Sequence, residues 1–237
     1  MYLNQAGRKI YFNIKGKGNP IILVHGWGGS SKSLLPLAEL LARKFKVVSL
    51  DLPGFGNSDK PNSDWGVEEY AQFIIDFICE LKLRPVYYFG HSFGGALGIY
   101  LAANKPQYIK KLIISGGSFK RELLKVNPVG MFFRWLPTSL KLIIYRIAYP
   151  NSDIYKIRAL ESNFRKIVRQ DLTPLLSLIN IPSLILWGEE DNQTLVKLAL
   201  ELKRKLKQSR LKIFPGIGHN LPLKYPQLVF SEIEKFL

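Results

Sequence analysis

The stretch Gly90-His91-Ser92-Phe93-Gly94-Gly95 decides how this chain folds. It has the pattern Gly-x-Ser-x-Gly and joins a strand-forming run, residues 86–90, to a Gly- and Ala-rich run with helical spacing, residues 93–104. A serine at such a junction lies on a sharp turn with positive φ, which costs about 1–3 kcal/mol for a residue other than glycine. We therefore expect the Ser92 hydroxyl to stand above the end of a sheet, at the N-terminus of a helix whose free N–H groups favour negative charge.

Short apolar runs alternate with longer helical stretches on both sides of this junction. The alternation predicts βαβ units, and therefore an α/β fold with a mostly parallel sheet and helices on both faces. Residues 8–14 alternate weakly and predict an antiparallel edge strand. The other predicted strands cover residues 21–25, 45–50, 86–90, 111–115, 183–187 and 210–214, and the predicted helices cover residues 33–44, 68–83, 93–104, 194–207 and 227–236.

The alternation stops between residues 117 and 172. This block contains no clear strand, and Pro128, Pro137 and Pro150 interrupt its helical stretches. A segment of about 55 residues is longer than the loops that compact domains normally contain. We interpret residues 117–172 as a helical insertion in a core made of residues 1–116 and 173–237.

A second glycine-rich sequence, His25-Gly26-Trp27-Gly28-Gly29, follows the first predicted parallel strand. Acyl transfer requires N–H donors aimed at the oxyanion that develops on the substrate, and the backbone N–H groups of Trp27 and Phe93 are the candidates. We expect His25 and Gly26, in the same loop, to contact the substrate. Phosphate binding is the other use of such a loop, but no Gly-x-x-x-x-Gly-Lys-[Ser/Thr] sequence occurs and the loop lacks Gly-x-Gly-x-x-Gly spacing.

A serine hydroxyl becomes a nucleophile only with a base in hydrogen-bond reach, and the chain has three histidines. His25 lies in the glycine loop, and we expect His91 to point away from Ser92 because side chains alternate along a strand. His219 follows the last predicted strand, at the sheet edge where open α/β sheets bind ligands. Elimination and position together indicate His219 as the base.

The base in turn needs a carboxylate that orients the imidazole. The sequence Trp187-Gly188-Glu189-Glu190-Asp191-Asn192 follows the penultimate predicted strand and offers three carboxylates. Asp191 has the best position in this motif, while Glu189 and Glu190 stay open as alternatives. The chain order Ser92, Asp191, His219 is the order that accompanies a serine on this kind of turn.

Composition limits the class of protein and the kinds of site. The chain has 237 residues, of which 47% are hydrophobic and 22% charged, which excludes a disordered or collagen-like protein. Its single cysteine, Cys79, excludes an intrachain disulfide and a cysteine-based zinc site, and we expect no metal. Neither a signal peptide nor an uncharged run of about 20 residues is visible, so we expect a soluble, cytoplasmic protein.

The sequence Asp51-Leu52-Pro53-Gly54-Phe55-Gly56-Asn57-Ser58-Asp59 looks like the Asp-x-x-Gly-x-Gly-x-Ser turn of the α/β-hydrolase fold superfamily. With the other motifs, it makes nearly the whole chain resemble that family, above all its small esterases, lactonases and carrier-protein methyl-esterases. The resemblance implies the α/β-hydrolase fold, a helical cap at residues 117–172, and no organic cofactor. Dehalogenases and epoxide hydrolases of this fold carry Asp where this chain has Ser92, and the Gly-Gly-Ser-Trp-Gly pattern of proline iminopeptidases is missing.

The resemblance also places the apolar cap residues Met131, Phe132 and Trp135 against the substrate. The same block contains eleven Lys or Arg residues and four Asp or Glu residues, within a chain whose formal net charge is +16. A basic rim that attracts an acidic carrier protein or an anionic surface is one interpretation. A solvated, functionless face is the other.

These residues predict a serine hydrolase that cleaves carboxylic esters, with small acyl or aryl esters or lactones as substrates. C–C bond hydrolysis, cofactor-free haloperoxidase activity and cyanohydrin lysis stay open, because the fold alone does not decide the bond. A ligand sensor or interaction protein with negligible turnover is the alternative from another class. No motif supports specific nucleic-acid binding, and the oligomeric state is left open.

Overall fold

The computed structural model describes residues 1–61, 64–120 and 160–237. The strands in this part of the chain are β1 (Tyr2–Gln5), β2 (Arg8–Lys15), β3 (Pro20–Val24), β4 (Lys46–Leu50), β5 (Val86–His91), β6 (Ile109–Ser115), β7 (Ser183–Gly188) and β8 (Ser209–Phe214). They form one sheet in the order β1-β2-β4-β3-β5-β6-β7-β8. The pairs β1–β2 and β2–β4 are antiparallel, and every other pair is parallel. The predicted α/β fold with a mostly parallel sheet is confirmed.

The helices follow the predicted pattern with shifted ends. The helix predicted over residues 93–104 is confirmed residue for residue, whereas the one predicted over residues 33–44 is wrong at both ends. It consists of a 3₁₀ turn, Ser31–Leu34, and a short helix that starts where Pro36 supplies a favourable first turn. The helices in the described residues are α1 (Leu35–Leu41), α2 (Val67–Glu80), α3 (Phe93–Asn104), α4 (Glu161–Arg169), α5 (Val196–Lys205), α6 (Leu221–Lys224) and α7 (Pro226–Phe236).

The central strands separate two apolar cores. Successive side chains of β3 alternate between them: Ile22 and Val24 pack with the residues of α2 and α3, while Ile21 and Leu23 pack with those of α1 and α7. Because both faces are covered, these strands are apolar at every position rather than at every second one. The helices thereby hold the sheet from both faces, and the loops at its carboxyl edge extend from rigidly packed strands.

The N-terminal edge of the sheet differs from the sequence expectation. Residues 8–14 form an antiparallel strand, as predicted, but β1 covers it, so β2 is not the edge strand. β1 has only four residues, two of them exposed, which leaves too little hydrophobic alternation to detect. Its hairpin turn uses Ala6 and Gly7, both with positive φ, and alanine at such a position gives no turn signal.

The predicted insertion lies mostly outside the described residues, which include only its ends. These ends meet, because the N–H of Leu172 donates a 2.8 Å hydrogen bond to the carbonyl of Phe119. Helix α4, near the returning end, contacts the loop after β3 through Phe164, whose ring centroid is 5.2 Å from that of Trp27. The insertion therefore leaves and re-enters the core at one place, at the carboxyl edge of the sheet. The division into core and cap stays a prediction.

The turn between β5 and α3 depends on close contact between backbones. Ser92 has φ 53° and ψ −113°, outside the regions that side chains normally allow. A Cβ atom on Gly90 would overlap the carbonyl of Gly94, and one on Gly94 would overlap the carbonyl of Val24 in the neighbouring strand. Glycine at both positions is therefore a steric requirement of the turn that presents Ser92.

We expect Gly90→Ala to destabilise the protein by more than about 3 kcal/mol, because the overlapping atoms belong to backbone that cannot move aside. Gly7→Ala is the matched control, since Gly7 has φ +77° but no atom within 4 Å of the position that an added methyl group would take. It should cost only about 1–2 kcal/mol of left-handed strain. Urea unfolding of both variants measures the difference, and equal losses would contradict this account of the turn.

Candidate active site

Ser92 occupies the tip of the turn and is held there by its backbone. Its N–H donates to the carbonyl of Ser115 at 2.9 Å, and its own carbonyl accepts from Gly95 and Ala96 in the first turn of α3 and from Ser118. The neighbouring residues His91 and Phe93 are buried, whereas Ser92 is half-buried. The turn thus exposes the one residue whose hydroxyl could react.

Asp191 and His219 form a buried pair at the same edge of the sheet. Nδ1 of His219 lies 2.7 Å from Oδ2 of Asp191, and the two residues are 3% and 9% exposed, in the order Asp191 and His219. Asp191 follows β7 and His219 follows β8, so two adjacent parallel strands bring them together across 28 residues of sequence. Of the three acidic neighbours that the sequence offers, Glu189 and Glu190 are exposed, and Asp191 is the one bonded to the imidazole.

Four donors hold the Asp191 carboxylate. Oδ1 accepts from the N–H groups of Gln193 and Thr194 at 2.9 and 2.8 Å, and Oδ2 accepts from His219 and from the Thr194 hydroxyl. Burial alone would raise the pKa of Asp191, but the hydrogen bonds from His219 and Thr194 outweigh it and hold this pKa below its ordinary value. The carboxylate is therefore ionised, Nδ1 of His219 is the donor, and Nε2 carries the free lone pair.

The imidazole of His219 lies beside the serine turn. A methyl group on Gly116 would come within 3.2 Å of His219 Nδ1, and the preceding residue, Ser115, accepts the hydrogen bond from the Ser92 N–H. Within the described residues the Ser92 hydroxyl makes no hydrogen bond to His219. Such bonds between nucleophile and base are often long without substrate and shorten in the complex.

His91 packs against the candidate base. Its ring centroid is 4.9 Å from that of His219, a contact that the sequence analysis does not anticipate, while its expected orientation away from Ser92 stays a prediction. Its Nδ1 donates to the carbonyl of Ser115 at 3.1 Å, which turns the ring toward the end of β6 and under the loop that carries His219. Burial, reinforced by the nearby imidazole of His219, lowers the pKa of His91 to about 3. His91 is thus a neutral ring that packs against the candidate base.

Thr194 is the residue that sequence reasoning missed. Its hydroxyl lies 2.8 Å from Asp191 Oδ2, 3.2 Å from His219 Nδ1 and 3.2 Å from the carbonyl of Gly116. Its own carbonyl accepts a 2.7 Å hydrogen bond from the indole N–H of Trp187, the buried aromatic residue of β7. The only sequence signal was its position three residues after a candidate acid, where a hydroxyl can bond the carboxylate.

The two expected oxyanion donors flank Ser92. Phe93 is the first residue of α3, and within the described residues neither its N–H nor that of Trp27 has a hydrogen-bond acceptor. The loop that carries Trp27 approaches the serine closely, because a methyl group on Gly26 would lie 3.0 Å from Ser92 Cβ. The Trp27 ring packs against Phe55 and Phe93, with centroids 4.9 and 5.6 Å away, and this anchors the loop.

His25 braces the loop rather than facing a ligand. Its Nδ1 donates to the carbonyl of Gly26 at 2.8 Å, and its Nε2 accepts from the N–H of Leu52 at 3.1 Å. The side chain is 1% exposed, and burial lowers its pKa. Both ring nitrogens are therefore used, and the expected substrate contact through this side chain does not fit its geometry. Gly26, beside Ser92, keeps a position consistent with one.

Asp51 joins the same loops from the other side. Its Oδ1 accepts from the N–H of Ser31 and its Oδ2 from the N–H of Asn57, at 2.6 and 2.8 Å. Its carbonyl accepts from the Ser58 hydroxyl at 2.7 Å. The conspicuous Asp-x-x-Gly-x-Gly-x-Ser sequence therefore ties the loop after β4 to the loop after β3. The expected cap contacts Met131, Phe132 and Trp135 lie outside the described residues.

Comparison with known proteins identifies the family of this chain. The sequence model of a family described as "alpha/beta hydrolase fold" matches residues 19–146, more than half of the chain. The chain belongs to this family. The resemblance noted from the motifs is therefore confirmed for the family and the fold.

Two relatives and one solved structure show the range of proteins on this fold. The chain is 24% identical to "(E)-2-((N-methylformamido)methylene)succinate hydrolase" of Acinetobacter baylyi, covering 97% of this chain and 94% of that protein. It is 26% identical to "2-hydroxy-6-oxononadienedioate/2-hydroxy-6-oxononatrienedioate hydrolase" of Escherichia coli, covering 92% and 87%. An esterase from Exiguobacterium antarcticum superimposes with a TM-score of 0.78 at 21% identity, covering 99% and 98%.

Neither a metal centre nor a membrane span is found in residues 1–61, 64–120 and 160–237. No three His, Cys, Asp or Glu side chains of these residues converge as metal ligands would. In the same residues, no helix has the length and apolar composition needed to cross a bilayer.

Acidification should destabilise this site through His91. In the unfolded chain its imidazole binds a proton below about pH 6.5, whereas burial prevents this in the folded protein until about pH 3. Stability is therefore full above pH 6.5 and is lost as the pH falls. Between about pH 6 and pH 4, His91→Asn should reduce the slope of unfolding free energy against pH by about 1.4 kcal/mol per unit.

Urea unfolding at a series of pH values measures this slope. His25, whose pKa is also lowered by burial, contributes in the same direction and keeps a residual slope in the variant. The window ends at about pH 4 because Asp191 adds its own loss below that value. An unchanged slope in His91→Asn would show that this ring is not held neutral.

Proposed function

We propose that this protein is a serine hydrolase that cleaves carboxylic esters. The observation that carries the proposal is the buried Asp191–His219 pair, bonded at 2.7 Å and set beside a serine on a turn with positive φ. In such an arrangement the imidazole can accept the proton of a serine hydroxyl, which makes the serine oxygen nucleophilic. Membership of the alpha/beta hydrolase fold family supports a hydrolytic reaction.

The proposed reaction begins with proton transfer from Ser92 to Nε2 of His219 as the serine oxygen attacks the ester carbonyl. Asp191 stabilises the resulting imidazolium and keeps its ring orientation, while the carboxylate itself stays unprotonated. His219 then donates the proton to the leaving alcohol, which leaves an acyl group on Ser92. A water molecule, deprotonated by the same imidazole, attacks the acyl carbonyl; His219 then returns the proton to the serine oxygen as the acyl C–O bond breaks, and the carboxylic acid leaves.

Charge on the substrate oxygen is stabilised by the backbone. The N–H groups of Phe93 and Trp27 are without acceptors in the described residues and flank Ser92. The N-terminus of α3 adds its positive end to the same region. The aromatic side chains around the Trp27 loop favour small acyl or aryl groups over charged ones.

C–C bond hydrolysis is the second candidate, and the comparisons favour it over the others. The substrate in the name of the Escherichia coli relative contains keto, hydroxyl and carboxyl groups and no ester, so its hydrolysis requires a different bond to break. The same serine and histidine would serve either reaction. Turnover of vinylogous diketo acids in excess of p-nitrophenyl and alkyl esters and lactones would favour this candidate.

Ser92→Ala should abolish ester hydrolysis while the protein stays folded. Loss of the nucleophile in comparable triads lowers kcat by roughly 10³ to 10⁶. The measurement is p-nitrophenyl ester turnover at saturating substrate, with the melting temperature as the control for folding. Wild-type turnover in the variant would contradict the proposal.

Labelling separates a weak enzyme from a wrong assignment. A fluorophosphonate probe requires the nucleophile, the base and the oxyanion donors together. We expect its adduct on the peptide that contains Ser92 and on no other. Labelling without steady-state turnover would instead support the ligand sensor.

Thr194→Val should lower kcat about tenfold with little change in KM, because valine keeps the shape and removes one hydrogen bond to Asp191. Loss of that donor also raises the pKa of Asp191, to which the threonine hydroxyl contributes. Thr194→Ser, which restores the hydroxyl, is the matched control and should recover most of the activity. Equal losses in the two variants would indicate a packing role for the methyl group alone.

A further inference from the structure

Positive charge is concentrated at one edge of the sheet. Parallel strands begin at the same edge, so the segments that lead into them lie side by side there. Five of these segments contain fifteen Lys or Arg residues and no Asp or Glu. We call this surface the amino-end face; it comprises residues 15–20, 42–46, 81–86, 105–111 and 203–210.

Most basic side chains of the amino-end face are available to a partner. All but Lys46 and Lys111 are exposed. Lys15 pairs with Glu39 and Lys44 with Glu234, and Glu80 borders the face at the end of α2. Lys111 donates to the backbone oxygens of Phe236 and Leu237, and Lys203 to that of Ser209. Within the described residues, none of the other eleven basic side chains has an ion-pair partner.

The short described loops at the opposite edge have the reverse sign. The described loops that directly follow the strands contain six Asp or Glu residues and only two basic ones, Lys60 and Lys120. Three of the acids, at 189–191, belong to the loop of the candidate active site. These short loops, which include that of the candidate site, are therefore acidic, whereas the insertion that begins at the same edge is basic in sequence; the loops compared are residues 25–31, 51–61, 64–66, 116–120, 189–195 and 215–220.

The distribution of these charges indicates a partner with an extended, negatively charged surface and no specific binding groups. The segments lead into strands that extend from β4 to β8 across a sheet whose strands lie about 4.8 Å apart, so the charges spread over about 24 Å. Eleven of the fifteen are lysines, which act as point charges without the bidentate geometry of arginine. None of the exposed large apolar side chains of the described residues lies in the five segments.

We propose that the amino-end face binds the surface of an anionic lipid bilayer. Basic residues near such a surface are attracted additively, without insertion of apolar side chains. Binding in this orientation turns the candidate active site toward water, at the far end of strands that are about 20 Å long. Its substrate then comes from solution rather than from the bilayer.

Other polyanions fit these observations less well. Single-stranded nucleic acids stack on exposed aromatic rings, and duplexes are recognised by an element that projects into a groove; the amino-end face offers neither. An acidic carrier protein docked on this face could not deliver an acyl group to a site at the opposite edge. The basic insertion, which the sequence analysis offers as the attraction for such a carrier, lies mostly outside the described residues.

Vesicle sedimentation tests the proposal with the full chain. We expect the protein to sediment with phosphatidylcholine vesicles that contain about 30% phosphatidylglycerol and not with pure phosphatidylcholine vesicles, and about 300 mM salt should release it. The triple variant Arg204→Glu, Lys205→Glu, Lys207→Glu should weaken binding at least about tenfold. A second variant, Lys17→Glu, Arg43→Glu, Lys105→Glu, places the same charge reversal on three other segments.

The matched control is Lys32→Glu, Lys60→Glu, Lys224→Glu, which changes the net charge equally at exposed positions outside the face. It should retain binding within about threefold, since few of its charges approach the bilayer. Melting temperatures verify that each variant is folded. Equal losses in control and face variants, binding to neutral vesicles, or displacement of the bound protein by duplex DNA at matched charge would overturn the proposal.

Discussion

The structure depends on the contact between the backbone of β5 and that of α3 at the serine turn. Gly90 and Gly94 permit this contact, and a side chain at either position would overlap a main-chain carbonyl. The strain at Ser92, with φ 53°, persists because strand and helix are both fixed by large apolar cores. The packing of the cores thus offsets the unfavourable backbone conformation of Ser92.

The buried charge of Asp191 also depends on contacts that offset an unfavourable effect, in this case the loss of hydration. Asp191 is 3% exposed, and a carboxylate there would be unstable without its four donors. Two of these donors come from the backbone of its own loop, and Thr194 and His219 supply the others. The neutral ring of His91 packs against His219 without adding charge. Orientation and electrostatics at the site are therefore set by the same contacts.

The sequence predicts the fold and the chain order of the candidate site because both rest on local patterns. The glycine spacing around Ser92 and apolar runs such as β3 can be recognised from residues that are neighbours in the sequence. The position of His91 cannot, because it depends on the carbonyl of Ser115, which belongs to another strand. Thr194 is missed for the same reason, since its hydroxyl bridges groups far apart in sequence. β1 is too short and too exposed to leave a pattern.

The hydrogen bond between Leu172 and Phe119 has a consequence for how such proteins diversify. A segment whose two ends touch can grow, shrink or be exchanged at small entropic cost, because its closure is already made. Changes of length or composition within the insertion then need not disturb the core strands that position Ser92, Asp191 and His219. The insertion and the core can therefore evolve at different rates.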